Sequence, residues 1–211
     1  MQKHNSPIIL VAATIIEAQP VIDSFSLVKE TRTPFALYCS EDLCLVISGI
    51  GKINAAVATS WALTSMQCSV VINGGASGAL DKSCSLGSIY SISSVIDYDR
   101  PHLKSGKPYR YHPDIVPSLE DATLATCNIP AIDPLQRQNL SEYAKLIDME
   151  GAAVVHTCSK FSVPCCLLKY VSDTPQHVHD KDIVKNIKEY GWILASTVES
   201  LIADDHLPGR V

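Results

Sequence analysis

Acidic side chains recur just beyond apolar runs in this chain, and carboxylates gathered that way can divide the work of general acid and general base. Glu17 follows the apolar run 8–16. Asp148-Met149-Glu150-Gly151 opens a stretch with helical spacing, and Ser172-Asp173 closes the most apolar run, with Lys169 just inside it. In open α/β sheets ligands gather beyond the carboxyl ends of strands, so these acids fall where a cleft is expected. Each has a plainer reading. An acid at a helix start often only caps it or complements its dipole, and Ser-Asp after a strand often only turns the chain. Their coincidence in one sequence carries more weight than any one of them.

Two glycine segments lie in comparable places. Ser48-Gly49-Ile50-Gly51-Lys52 precedes a helical stretch and could offer backbone N–H groups to an anion or hydroxyl. It matches neither the P-loop nor the dinucleotide fingerprint, so a plain tight turn is an equal reading. Asn73-Gly74-Gly75-Ala76-Ser77-Gly78 ends a buried run with almost no side chain, which would let a flat ligand lie against backbone or simply make a flexible turn. His177, His179 and Asp180 suggest a metal only weakly, because such groups in a polar turn usually face solvent. No metal is assigned.

The elements that must position these residues alternate between short Val/Ile-rich runs and helical periodicity. Strands are predicted at 8–13, 43–48, 69–73, 88–96, 122–127 and 165–171. Helices are predicted at 52–66, 151–161 and 182–203, with a weaker one at 134–144. The pattern is α/β, with helices covering both faces of a mixed or parallel sheet. The polar stretch 98–118 reads as a long loop, of the kind that often serves as a lid or binding loop. One domain is expected over 1–211, with a frayed tail at 204–211. Trp61 and Trp192 fall in helical apolar patterns and read as core or subunit-contact residues.

Composition narrows the function. With 211 residues, 46% of them hydrophobic, the chain can bury one sizeable core. A net charge of -5 gives no general attraction to nucleic acid and leaves a small molecule as the expected partner. The run 8–16 is too short to span a bilayer and lacks a cleavage site, so neither membrane association nor secretion is expected. Eight cysteines contain no Cys-x-x-Cys pair. They read as reduced core thiols of a cytoplasmic protein rather than as a zinc site or disulfide framework.

Three stretches together, Ser48-Gly49-Ile50-Gly51-Lys52-Ile53-Asn54-Ala55-Ala56, Met149-Glu150-Gly151-Ala152-Ala153 and Val171-Ser172-Asp173, resemble the nucleoside phosphorylase and nucleosidase superfamily. The resemblance is to the branch holding methylthioadenosine/S-adenosylhomocysteine nucleosidases and futalosine hydrolases. It implies a three-layer α/β/α sandwich with a central mixed, partly barrel-like sheet, no cofactor, and a homodimer whose neighbour helps close each site. It also implies hydrolysis of the N-glycosidic bond of a purine nucleoside. Asp173 would protonate or hydrogen-bond N7 with Ser172 in support, and Glu17 would deprotonate the attacking water. Glu150 would accept hydrogen bonds from ribose hydroxyls. Met149 would pack against the sugar, while Ile50, Ala76, Ser77 and Gly78 would line the site.

The sequence departs from that branch in three places. Lys169 stands where Arg is usual near the base and water, the Ser-Ala order is reversed as Ala76-Ser77, and no aromatic base-stacking residue precedes Met149. A phosphate-dependent phosphorylase is the near alternative. The stretch after the first strand, however, is Thr14-Ile15-Ile16-Glu17 rather than a Gly-Asp-Pro-x-Arg phosphate loop. A non-catalytic nucleoside-binding module is a second alternative, opposed by three acids kept together. For the substrate, the basic stretch 97–112 has Arg100, Arg110 and several Lys, His and Tyr residues. If it covers the 5′ end of the ribose, it favours an anionic aromatic tail, as in futalosine or aminodeoxyfutalosine of menaquinone biosynthesis. Methylthioadenosine/S-adenosylhomocysteine cleavage is the second substrate expectation.

Overall fold

The computed structural model describes residues 7–131, 133–176 and 179–209. Their elements run β1 (Ile8–Ala12), α1 (Ile15–Ser24), β2 (Val28–Thr31), β3 (Ala36–Cys39), β4 (Leu43–Ile47), α2 (Lys52–Ser65), β5 (Val71–Ala79) and β6 (Ile89–Pro101). They continue with β7 (Pro108–Tyr111), β8 (Asp121–Thr126), α3 (Pro134–Ser141), β9 (Leu146–Asp148), α4 (Gly151–Phe161), β10 (Cys165–Asp173) and α5 (Asp180–Ala203). All ten strands form one mixed sheet in the order β10-β6-β8-β9-β5-β1-β4-β3-β2, with β7 beside β6. Strand β10 also pairs with β5, in parallel from Cys165↔Val71 to Asp173↔Gly78. That second pairing closes β5, β9, β8, β6 and β10 into a barrel and leaves β1 to β4 as an open wing.

Helices cover both faces, as the alternation predicted. One apolar core joins Ala55, Ala58 and Ala62 of α2 and Val154, Val155 and Cys158 of α4 to one face of the sheet. A second joins Ala18, Val21 and Ile22 of α1 and Leu194, Ala195 and Val198 of α5 to the other face. Strands β1 and β10 face both cores, and every residue in each is buried; β1 is apolar throughout, as is β10 up to Leu168.

Several elements differ from the sequence reading. Helix α1 follows the strand predicted at 8–13 and was not among the predicted helices; Thr14 caps it, its side chain accepting from the Glu17 N–H while Glu17 returns the bond to the Thr14 N–H. The stretch 98–118 is not a plain loop. Strand β6 continues to Pro101 and pairs antiparallel with β7, making a ribbon whose charged, largely solvated faces gave no apolar run to read. Cys39 and Cys44 are joined by a disulfide rather than reduced, since the antiparallel β3–β4 pairing sets them directly opposite one another; the other six cysteines are free. The tail is packed as far as residue 209. Leu207 is buried in the α1/α5 core, and Gly209 lies against Pro164.

Candidate active site

A cavity of about 240 Å³ opens at the carboxyl ends of β1, β5 and β10, where β9 also ends. Glu17, Ile50, Ala76, Ser77, Gly78, Met149, Glu150, Ser172 and Asp173 all line it. Nine residues expected from sequence, drawn from five separated segments, thus meet in one place. Thr14, Arg137 and Asp148 line it too, and Ile129, Ile147, Ile183 and Ile187 add aliphatic wall. Among the described residues no aromatic ring lines the cavity, so a planar base would lie between branched side chains.

At one end, Glu17 is held as much by its own helix as by the barrel. One carboxylate oxygen accepts from the Thr14 N–H at 2.9 Å and the Thr14 hydroxyl at 2.8 Å; the other accepts from the Ala76 N–H of β5 at 3.0 Å. The carboxylate can lie on the strand only because position 75 is glycine. A Cβ there would stand 2.9 Å from Glu17 Oε1. Glu17 is 7% exposed, with all three donors neutral.

Asp173 occupies the other end. The Ser172 hydroxyl donates to Asp173 Oδ1 at 2.9 Å. Its second oxygen, Oδ2, is paired with the guanidinium of Arg137, a buried residue of α3 that the sequence reading did not select. Arg137 is fixed from behind by two carbonyls: Nε donates to Ala131 at 2.6 Å and Nη1 to Ala79 at 3.0 Å. Glycine is again required, since a Cβ on Gly78 would stand 2.7 Å from Asp173 Oδ2 and 3.3 Å from Arg137 Nη2. The glycine segment of β5 therefore makes room for protein carboxylates at both ends, besides lining the cavity. Positions 76 and 78 are one pleat repeat apart, roughly 7 Å, so the backbone contacts of the two acids are set by a single strand.

Glu150 lines the same cavity from the start of α4. It accepts from the Gly51 N–H at 2.8 Å, so the Ser48–Lys52 glycine turn serves a protein carboxylate rather than presenting that N–H to an external anion. Burial, with Asp148 adding to it, pushes the Glu150 carboxyl up to about 7. Asp148 itself is fully engaged, accepting from the Thr126 hydroxyl at 2.7 Å, the Gly151 N–H at 2.8 Å and the Lys169 ammonium at 2.9 Å.

Three expected binding residues lie elsewhere. Lys169 is 1% exposed and does not reach the cavity. Burial disfavours its ammonium, but Asp148, Glu150 and Glu17 outweigh that and hold it above its ordinary value, so it acts on the site as a charge from behind the wall. Arg100 and Arg110 stand on the β6–β7 ribbon. Arg110 donates to Ser94 at 2.8 Å, while Arg100 covers the Tyr109 ring and donates to the Tyr111 hydroxyl at 3.3 Å. A short lysine or arginine pattern cannot say which face of a ribbon it will occupy. His177 lies outside the described residues, and His179 is the N-cap of α5.

Comparison with known proteins fits this geometry. The family model described as the phosphorylase superfamily matches residues 7–131 and 132–203. The 5′-methylthioadenosine/S-adenosylhomocysteine nucleosidase of Staphylococcus epidermidis is 28% identical over 186 residues, 77% of this chain and 82% of that protein. Among solved structures, the apo 5′-methylthioadenosine nucleosidase of Arabidopsis thaliana superposes with a TM-score of 0.85 at 21% identity, covering 96% of both chains. Native futalosine hydrolase of Helicobacter pylori superposes with a TM-score of 0.82 at 18% identity, covering 94% of this chain and 98% of that one.

Proposed function

The chain belongs to the phosphorylase superfamily, and from that premise we propose that it hydrolyses the N-glycosidic bond of a purine nucleoside. The observation that carries this is the convergence of Glu17, Glu150 and Asp173 on one cavity from three separate segments. Glu17 takes a proton from water, and the water oxygen attacks the anomeric carbon. The glycosidic bond breaks with its electron pair passing to the base, and a proton from Asp173 on N7 lets the base leave neutral. Glu150, which lines the same cavity, accepts from ribose hydroxyls. Hydrolysis is favoured over phosphorolysis because the residue presented after β1 is a buried acid, which would repel phosphate.

At the 5′ end, Ile50 and Met149 present apolar surface, which suits a small 5′ thioether. A futalosine-type nucleoside is the second reading. Arg100 and Arg110, the residues first expected to favour it, do not line the cavity; what favours it is the guanidinium at the base end, Arg137. We also propose a homodimer. Ile50, Ile53 and Val57 are exposed together at the start of α2, beside the cavity mouth, where a second copy would cover them. Sedimentation showing only monomer at micromolar concentration would count against that.

The decisive assay is release of free base, without phosphate, from methylthioadenosine, S-adenosylhomocysteine, futalosine and aminodeoxyfutalosine. Phosphate-dependent release would replace hydrolysis by phosphorolysis. Stoichiometric nucleoside binding with no base released over hours would make the chain a binding module.

A further inference from the structure

We propose that Arg137 makes the base end of this site selective for 6-oxopurines over 6-aminopurines, by reading the C6 oxygen and so freeing Asp173 to act at N7. The inference rests on the nucleosidase reading and adds a specificity-determining residue to it.

A guanidinium has five N–H donors. Among the described residues three are used, one each on the carbonyls of Ala131 and Ala79 and on the carboxylate of Asp173. Both terminal nitrogens therefore keep an uncommitted N–H in a group that lines the cavity. Two backbone carbonyls and a buried position fix the fork, so it cannot retreat into solvent when a ligand enters.

The purine edge that reaches Asp173 presents N7 and the C6 substituent side by side. In a 6-oxopurine both are acceptors; in a 6-aminopurine the second is an N–H₂ donor. Before a ligand enters, Asp173 Oδ2 is engaged by the Arg137 guanidinium. A C6 oxygen can take over the Arg137 Nη2 donor, which lets Asp173 carry a proton to N7. The same cation then faces the oxygen onto which charge spreads as the base leaves. A 6-amino group cannot accept from Arg137. It sets N–H against N–H beside a buried cation, leaving donors unpaired, the circumstance in which a polar site discriminates strongly.

The test uses two pairs of nucleosides, each differing only at C6: 5′-methylthioinosine against 5′-methylthioadenosine, and futalosine against aminodeoxyfutalosine. The wild-type chain should show a kcat/KM ratio favouring the 6-oxo member by about tenfold or more in whichever pair is turned over. Arg137→Gln should lower turnover and collapse that ratio toward one. Arg137→Lys, which keeps the charge but loses the fork, should fall between. A ratio measured within one variant does not depend on the folded fraction. If Arg137→Gln fails to fold, the wild-type ratio and the lysine variant still decide. Calorimetric binding of hypoxanthine against adenine gives the same comparison free of the 5′ group. A wild-type preference for the 6-amino member, or a ratio unchanged in Arg137→Gln, overturns the inference and leaves the nucleosidase reading intact. No base release from any of the four and no binding of either base would remove the nucleosidase reading itself.

Discussion

The two ends of the cleft hold carboxylates of nearly equal burial, Glu17 at 7% and Asp173 at 6% exposure, yet they are satisfied in different ways. Glu17 is surrounded by neutral donors, two from Thr14 three residues away and one from the β5 backbone. Asp173 faces a hydroxyl from its sequence neighbour and a guanidinium 36 positions away in sequence. Neutral donors orient a carboxylate while leaving it able to take a proton; a paired cation ties proton availability to whatever else the cation can bind. The difference fits a base that must be ready before substrate arrives and an acid that becomes available only once the right ring is in place.

Removing either acid's chemistry should produce the largest effects. Asp173→Asn should lower kcat by about 10² or more while ligand still binds, because the amide has no acidic proton to transfer. Full turnover in that variant would dismiss Asp173 as the acid and leave the ion pair a structural feature. Glu17→Gln should give a loss of the same order, with uncleaved nucleoside trapped in crystals. Activity near wild type would mean the water is activated by another group.

Smaller and more diagnostic effects should follow from the glycines. Gly78→Ala pushes a methyl group onto both members of the Asp173–Arg137 pair, whereas Gly75→Ala presses only on Glu17. Each should reduce kcat/KM by roughly tenfold to a hundredfold, as displacing a catalytic group by a fraction of an ångström or more does. Only Gly78→Ala should also change the preference at C6. Equal shifts in both variants would erase the contrast between the two ends.

Glu150 makes the prediction about pH. Its carboxyl is pushed up to about 7, mainly by burial, so the carboxylate proposed to accept from ribose hydroxyls forms only as pH rises through neutrality. KM should therefore fall with rising pH up to about 7 and level off above it. Glu150→Gln should remove that inflection, a result readable from kinetics between pH 5 and 8. The sign for stability is opposite: the folded state binds more protons than the unfolded one between the ordinary value of 4.5 and about 7, so this group's contribution declines as pH rises through that window. Neutralising Arg100 and Arg110 together should have the smallest effect, within about twofold in kcat/KM, because neither side chain lines the cleft.

Features of this protein that depend on neighbours along the chain were legible in its sequence. A strand buried on both faces, such as β1, must be apolar on both, so it appears as an unbroken run. Helix α4 was readable to the residue, from Gly151 to Phe161, because its periodicity begins and ends sharply. Glu17, Glu150 and Asp173 were legible because cleft residues of an α/β sheet must follow strand ends. The remaining features depend on contacts between segments distant in the chain. The weak helix α3 carries no mark that its Arg137 will turn inward across the barrel to meet Asp173, since that depends on the β5–β10 closure bringing Ala79 and Asp173 together. The same holds for Lys169, which does not line the cavity but pairs with Asp148, which does, and for the ribbon that carries Arg100 and Arg110. Spacing along a chain fixes which face a residue shares with its neighbours; which distant group it meets is fixed only when the sheet closes.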